Sequence, residues 1–365
     1  MPNPAIAQRR LTQQCLAASS FTTPAEVVAW FGAVQAQDYL ASLWAVGLRL
    51  PEATETAVEQ AIADRSIVRL WFMRGTIHLL PGPDLRGMLQ LMAPRMRRLL
   101  DNVTRANRAG LDADAFARSA AALTAALRGG NHLTRAELAG VLAGAGLPTE
   151  DSCLSFLLQR AQADGLICSA SRNGKQHTFA LLDDWLPLTT SPSRDDALAT
   201  FTRRYFRSHG PATLQDFVWW SGFPVTEARA ALEAVAPELQ SEMIGSQTYL
   251  SILADPPTAP SAPVAYLLPN YDEYVVGYRD RDAVFDPEDS SQLGSRGNVL
   301  FENILVLDGI VTGTWKRSLT KSAVRIILTP FRPLEEPEQH AVAAAADRYG
   351  HFLSLTVSVD IGAAR

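Results

Sequence analysis

The feature that most constrains this chain is an outline that recurs: helical patterns followed by two short β-type runs across a tight turn. Within residues 113–182, "ADAFARSAAALTAALRGG" has helical apolar spacing and stops at Gly129-Gly130. "LTRAELAGVLAGAG" opens on Thr134 with Glu137 three residues later, the pattern of a reciprocal N-terminal cap. "SCLSFLLQRAQADG" ends at Gly165, and "LICSAS" and "QHTFALL" flank the turn "RNGK". The order repeats over 194–253. There "RDDALATFTRRYFRSHG", "ATLQDFVWWSG" with Thr213 as N-cap, and "PVTEARAALEAV" opened by Pro224 precede "LQSEMI" and "TYLSIL". A looser copy over 7–80 passes through "QRRLTQQCLAA", "PAEVVAWFGAV", "DYLASLWAVGL" and "TETAVEQAIADR" to the strands "IVRLWFM" and "TIHLL".

Three helices and a hairpin form the outline of a winged helix. The expected fold is therefore mainly α with β, of the α+β class. Its parts are winged helices at 7–80, 113–182 and 194–253, a connecting helix within 81–112, and a β-rich C-terminal domain at 264–365. "PTAPSAPVAYLLP" is Pro-rich and reads as the linker to that last domain. Inside the domain, two β-type runs meet at Asp308-Gly309, a strong hairpin signal. "AVRIILTPF", a helix at "EPEQHAVAAAADRYG" and the strand "FLSLTVSV" follow. Winged helices serve both as nucleic-acid readers and as protein-interaction modules, and the outline alone does not choose between them.

Composition narrows the chemistry. Three cysteines, Cys15, Cys153 and Cys168, are scattered, as are six histidines, and no metal-ligand spacing is present. Dinucleotide and Walker signatures are absent, so no nucleotide cofactor is expected, and the usual serine-hydrolase signature is missing too. No apolar run has the length of a membrane span and the start lacks a signal-peptide pattern, so the expectation is a cytoplasmic protein with no membrane partner. A net charge of -5 argues against indiscriminate DNA coating but leaves room for a local basic patch.

One stretch, "AVQAQDYLASLWAVGLRL", places Gln35 and Gln37 in an otherwise apolar run and follows them at once with Asp38. Buried amides lose side-chain entropy and must be hydrogen-bonded. Residues two apart share a face only in extended backbone, because in a helix they diverge by roughly 200°. Segment 34–38 is therefore expected to break helical geometry or to form a helix–helix junction, with Asp38 capping the next helix or serving as a charge partner. Capping and cross-linking of helices by the two glutamines is the bland alternative.

With this stretch, "RLWFMRGTIHLLPGPD", "LLPNYDEYVVGYRDR" and "LVLDGIVTGTW" resemble, in order, the winged-helix DNA glycosylases of the AlkZ/YcaQ type. The match runs from about 10 to 350, and Gln35-Ala36-Gln37 has the glutamine–apolar–glutamine form of the AlkZ-like branch. The resemblance implies excision of bulky N7-alkylguanine lesions, unhooking of interstrand crosslinks, and self-resistance to a genotoxic natural product. It implies catalytic roles for Gln35 and Gln37, duplex DNA carrying alkylated purines as partner, no cofactor, and a monomeric, nucleoid-associated enzyme. Alkylation at N7 makes guanine a cationic leaving group that departs without a proton. The enzyme then needs chiefly to orient water and stabilise the sugar cation, which amide dipoles can do. With only Lys175, Lys316 and Lys321 as lysines, none near the motif in sequence, no Schiff-base lyase step is expected.

Candidate phosphate contacts are Arg95, Arg97, Arg98, Arg105 and Arg108, five arginines against the single acid Asp101. Arg203, Arg204, Arg207 and His209 form a second group, and Lys316, Arg317, Lys321 and Arg325 on the C-terminal hairpin form a third. A solvated helix face is the competing reading of the first two groups. Asp38 and Asp272 are candidate cleft residues, with Asp272 and Glu273 alternatively tying the β domain to the helical modules. Arg74 and His78 alternate along a strand and are expected to be structural, and Trp219-Trp220 to be core. Because crosslinks do not fit a tight flipping pocket, an open surface is expected near Gln37. A non-catalytic DNA-binding regulator, a sequestering resistance protein and a protein-interaction scaffold are the competing functions.

Overall fold

The structure is a computed structural model describing residues 1–107, 110–150, 152–187, 192–252, 262–294 and 298–362. Arg108 and the start of the Pro-rich linker, 257–261, lie outside the described residues. About half the chain is helical and a fifth is strand, a mixed α+β fold. Two compact units emerge, one of residues 1–59 and 199–365, the other of 60–198.

The first elements are α1 (Pro4–Gln13), α2 (Pro24–Phe31), the short strand β1 (Val34–Gln35), α3 (Tyr39–Gly47) and α4 (Glu55–Ala63). Next come β2 (Ile67–Trp71) and β3 (Ile77–Pro81), an antiparallel pair, and the long α5 (Leu85–Ala106). The outline at 113–182 appears as α6 (Ala113–Leu127), strand β4 (Leu133–Thr134), α7 (Arg135–Gly144), α8 (Cys153–Ala163), β5 (Ile167–Asn173) and β6 (Gln176–Leu181). Thr134 and Glu137 form the reciprocal cap that their spacing predicts. A one-turn helix, α9 (Leu182–Trp185), precedes the third outline. That outline is α10 (Arg194–Ser208), α11 (Leu214–Ser221), α12 (Val225–Glu233), β7 (Gln240–Ile244) and β8 (Gln247–Ser251). Strands β7 and β8 pair antiparallel and stand largely exposed.

The C-terminal region is a five-stranded sheet in the order β13–β12–β11–β10–β9. Its members are β9 (Ala265–Leu268), β10 (Ile304–Leu307), β11 (Ile310–Leu319), β12 (Ala323–Pro330) and β13 (Thr356–Ile361). The one-turn α13 (Glu273–Val276) follows β9, and α14 (Glu336–Leu353) links β12 to its parallel neighbour β13. The tight turn at Asp308-Gly309 has positive φ at both residues, 49° and 92°, as its sequence predicts. β9 corrects the linker reading: the run "AYLL" is fully buried edge strand, and its prolines lie just before it.

Helix α3 is held against α14 by aromatic packing. Trp44 meets Tyr349 edge-on at 4.9 Å and Phe352 at 5.0 Å. Gly47 faces the Phe352 ring so closely that a Cβ there would overlap it. Among the described residues no helix is long and apolar enough to cross a membrane.

Candidate active site

Chain direction changes abruptly at the glutamines. α2 ends at Gly32, whose φ of 80° is open to glycine, and the backbone then extends through Val34–Gln35. Gln35 is 6 % exposed, Ala36 is buried, and Gln37 and Asp38 emerge at the surface. Asp38 caps α3, accepting the Ala41 N–H at 3.1 Å. Helical geometry is thus broken between α2 and α3: Val34–Gln35 is strand and the chain bends at Gln37–Asp38, leaving Gln35 buried and Gln37 exposed rather than both on one face. Both residues make further interactions in the fold.

Beneath this segment lies a polar core. The Gln35 N–H donates to Glu273 Oε1 at 2.8 Å. Glu273 Oε2 accepts the Trp220 indole N–H at 2.9 Å and lies 3.1 Å from His209 Nε2. Ser208 Oγ sits 2.8 Å from His209 Nδ1. Burial holds the His209 pKa below the ordinary histidine value, while the hydrogen bond to Glu273 acts in the opposite direction. Nε2 donates to the Glu273 carboxylate, while Ser208 Oγ, beside Nδ1, also donates to the Arg204 carbonyl at 2.7 Å.

Asp272 is fully buried in a two-pronged ion pair with Arg49, at 2.8 and 2.9 Å. Arg49 also donates to Gln14 Oε1, the Gln14 carbonyl and the Ala45 carbonyl. Asp272 is thus a structural ion and not a cleft residue, and Glu273 ties the β region to the helices from 1 % exposure. His209 is likewise sealed and is removed from the cationic group proposed for DNA. Arg74 sits in the turn after β2 with φ of 56°, not in the strand, whereas His78 is buried in β3 with Nδ1 3.2 Å from the Thr76 carbonyl. Trp220 is core, but its neighbour Trp219 is 39 % exposed.

The cationic candidates separate by how their charge is used. Arg203 makes two 2.7 Å contacts to Glu238, and Arg97 is paired with Asp164. Arg98 and Arg105 are exposed on α5. Burial lowers the Arg95 pKa, and Arg194 and Arg98 push it the same way. Arg204 and Arg203 similarly act on Arg207, after its burial. On β11, Lys316 is exposed while Arg317 points to the α14 side, over Tyr349 at 5.6 Å. Burial lowers the Arg317 pKa, and Asp38 and Glu55 raise it, so this guanidinium belongs to the electrostatic surroundings of the glutamine segment. Sequence spacing gave no sign of that.

Among the described residues no group of three or more His, Cys, Asp or Glu is arranged to hold a metal. A cavity of about 840 Å³ lies elsewhere in the same unit, lined by Thr213, Asp216, Arg279 and Phe285 and not by the glutamines.

The chain is 28% identical to the interstrand DNA cross-link repair glycosylase of Streptomyces sahachiroi, over 92% of each protein. Its fold matches the solved structure of the Streptomyces sahachiroi DNA glycosylase AlkZ, with a TM-score of 0.81 at 24% identity, covering 99% of this chain and 100% of that one. The profile of the AlkZ-like DNA glycosylases matches residues 28–352. This chain belongs to the AlkZ-like DNA glycosylase family.

Proposed function

We propose that this enzyme is a monofunctional glycosylase that hydrolyses the N-glycosidic bond of N7-alkylated guanine, including bulky adducts and interstrand crosslinks. The reading includes three tandem winged helices, at 7–80, 113–182 and 194–253, and a monomer acting on nucleoid DNA in self-resistance to a genotoxic product. The observation that carries it is the break between α2 and α3 at 34–38, which fixes Gln35 through its backbone and presents Gln37 at the surface beside the Asp38 cap. The crosslink-repair name of the Streptomyces sahachiroi relative supports the choice of substrate.

In this mechanism the cationic base leaves without a general acid. Amide oxygens accept from one water and turn their dipoles toward the developing sugar cation. Arg95, Arg98, Arg105, Arg204, Lys316 and Arg317 serve as phosphate contacts. Arg97 and Arg203 contribute less, because carboxylates already hold them. Lys316 adjoins Arg317 but projects from the opposite face of β11, which supports hydrolysis without a lyase step.

Incubation with duplex containing 7-methylguanine, followed by alkali, should cleave the strand at the lesion. Gln37→Ala should slow release by ~10²-fold, the scale of one lost electrostatic contact. Tight duplex binding without an alkali-labile site would favour a non-catalytic DNA-binding protein. Borohydride trapping of a covalent DNA complex would overturn the monofunctional assignment.

A further inference from the structure

The glutamine motif itself offers two neutral amides, yet a carboxylate lies directly behind it. Glu273 stands 238 residues away in the chain and reaches the Gln35 N–H at 2.8 Å. Its other oxygen takes the Trp220 indole N–H at 2.9 Å and faces His209 Nε2 at 3.1 Å. Three N–H groups converge on the Glu273 carboxylate, an arrangement that favours its ionised form, and the neighbouring ions have contacts of their own. Arg49 is engaged two-pronged with Asp272, and Arg10 lies over the Tyr278 ring at 3.6 Å and donates to the Pro211 carbonyl. Asp216 spends its oxygens on the Arg279, Asp280 and Thr213 N–H groups.

We infer that Glu273 is the positioning residue of the glutamine pair. It fixes the short strand that carries Gln35 and leads into Gln37, and it sets a negative charge behind the pair that favours the sugar cation. The inference rests on the assignment of Gln35 and Gln37 to the reaction. The physical argument has two parts. A charge-assisted hydrogen bond to the Gln35 amide is shorter and stronger than a neutral one, so it restrains the register of the 34–38 segment against the interior. Carboxylate charge in a water-poor core is weakly screened, so it acts over distances at which a surface acid would not. Gln35 and Gln37 thereby act as the polar lining between a buried anion and a transient cation.

The test is single-turnover release of 7-methylguanine by Glu273→Gln, which keeps the shape and one acceptor oxygen but removes the charge. The rate should fall at least about tenfold while duplex Kd stays within twofold. Tyr205→Phe deletes another hydrogen bond of the same core, the one to the Gly277 carbonyl. It should lower Tm without changing the release rate. A Glu273→Gln rate within twofold of wild type overturns the inference, as does a rate loss that Tyr205→Phe reproduces at equal loss of Tm. If Glu273→Gln does not fold, Glu273→Asp, which draws the carboxylate back by one methylene, should lose about threefold or more in rate at unchanged Kd. Full activity there is equally fatal. Gln37→Ala runs in parallel: full activity in that variant removes the glutamine assignment itself. Loss in Gln37→Ala with full activity in Glu273→Gln removes only the role of Glu273.

Discussion

Between Ala115 and Leu181 the inner cluster is wholly aliphatic, with Leu123, Leu127, Leu138, Leu142, Leu157 and Ile167 at zero exposure. Around Glu273 the equally buried side chains are Arg10, Gln14, Arg49, Ser208, His209, Asp216 and Asp272, interleaved with Tyr205, Trp220, Tyr274 and Tyr278. Hydrocarbon burial is non-directional, and a leucine core accepts small rearrangements at modest cost. Buried ions and amides cost desolvation and return it only when every partner sits in place. One core therefore supplies stability with loose geometric demands, and the other supplies a fixed geometry. It is the second core that touches Gln35.

The sharpest way to break this comparison is Arg49→Met, which strands Asp272 as an unpaired buried anion. Loss of about 3–5 kcal/mol is expected in the unit of residues 1–59 and 199–365, read by urea unfolding of that unit's transition. A loss below about 1 kcal/mol would mean that the ionic core is not directional. Leu157→Ala in the aliphatic cluster should cost roughly 2–5 kcal/mol of stability in the 60–198 unit. Excision by the folded variant, measured well below its melting point, should stay unchanged. A parallel loss of excision rate would show that the two cores are not separable.

Acidification gives the smallest effect. His209 resists protonation because it is buried, so its folded pKa lies below the unfolded value of about 6.5. A depressed histidine leaves full stability above the unfolded pKa, and stability is lost as pH falls below it. Burial, with Arg69 and Arg172, likewise lowers His177 on β6 to about 4, so the 60–198 unit shares the sign over the window from about 6.5 to 4. Tm should fall between pH 7 and pH 5 in both units, and a flat Tm would contradict the buried neutral ring.

Much of this fold is legible in the sequence, because its signals are local. Gly129-Gly130, the Thr134 and Thr213 caps, and the Asp308-Gly309 turn each act on neighbours within a few residues, and each falls where expected. A break in helical geometry at 34–38 follows from the spacing of two amides alone, and it is met by a two-residue strand and a bend between α2 and α3. The partners of that segment are not legible. The bonds from Gln35 to Glu273 and from Arg49 to Asp272 span 238 and 223 residues, and nothing in the intervening spacing encodes them. Asp272 looks like a cleft acid because a carboxylate between tyrosines has no local signature of burial. His209 looks cationic because it follows three arginines on one helix, yet it sits just past the end of α10, buried against Glu273. Val264 and the "AYLL" run behind it were obscured by the prolines just upstream.

The contact between Gly47 and Phe352 reaches further than its place in the fold suggests. Helix α3 begins at the Asp38 cap beside Gln37 and ends at Gly47, nine residues and about 14 Å away at 1.5 Å per residue. A helix this short transmits a push as a stiff rod does. A methyl group at position 47 would collide with the ring of Phe352 and drive the rod lengthwise or sideways. The far tip, where the outer amide sits, would shift by a fraction of an ångström to an ångström, a scale at which reaction rates fall steeply. The bare α-carbon at 47 thus acts as a spacer between α3 and the Phe352 ring, and so bears on where Gln37 sits.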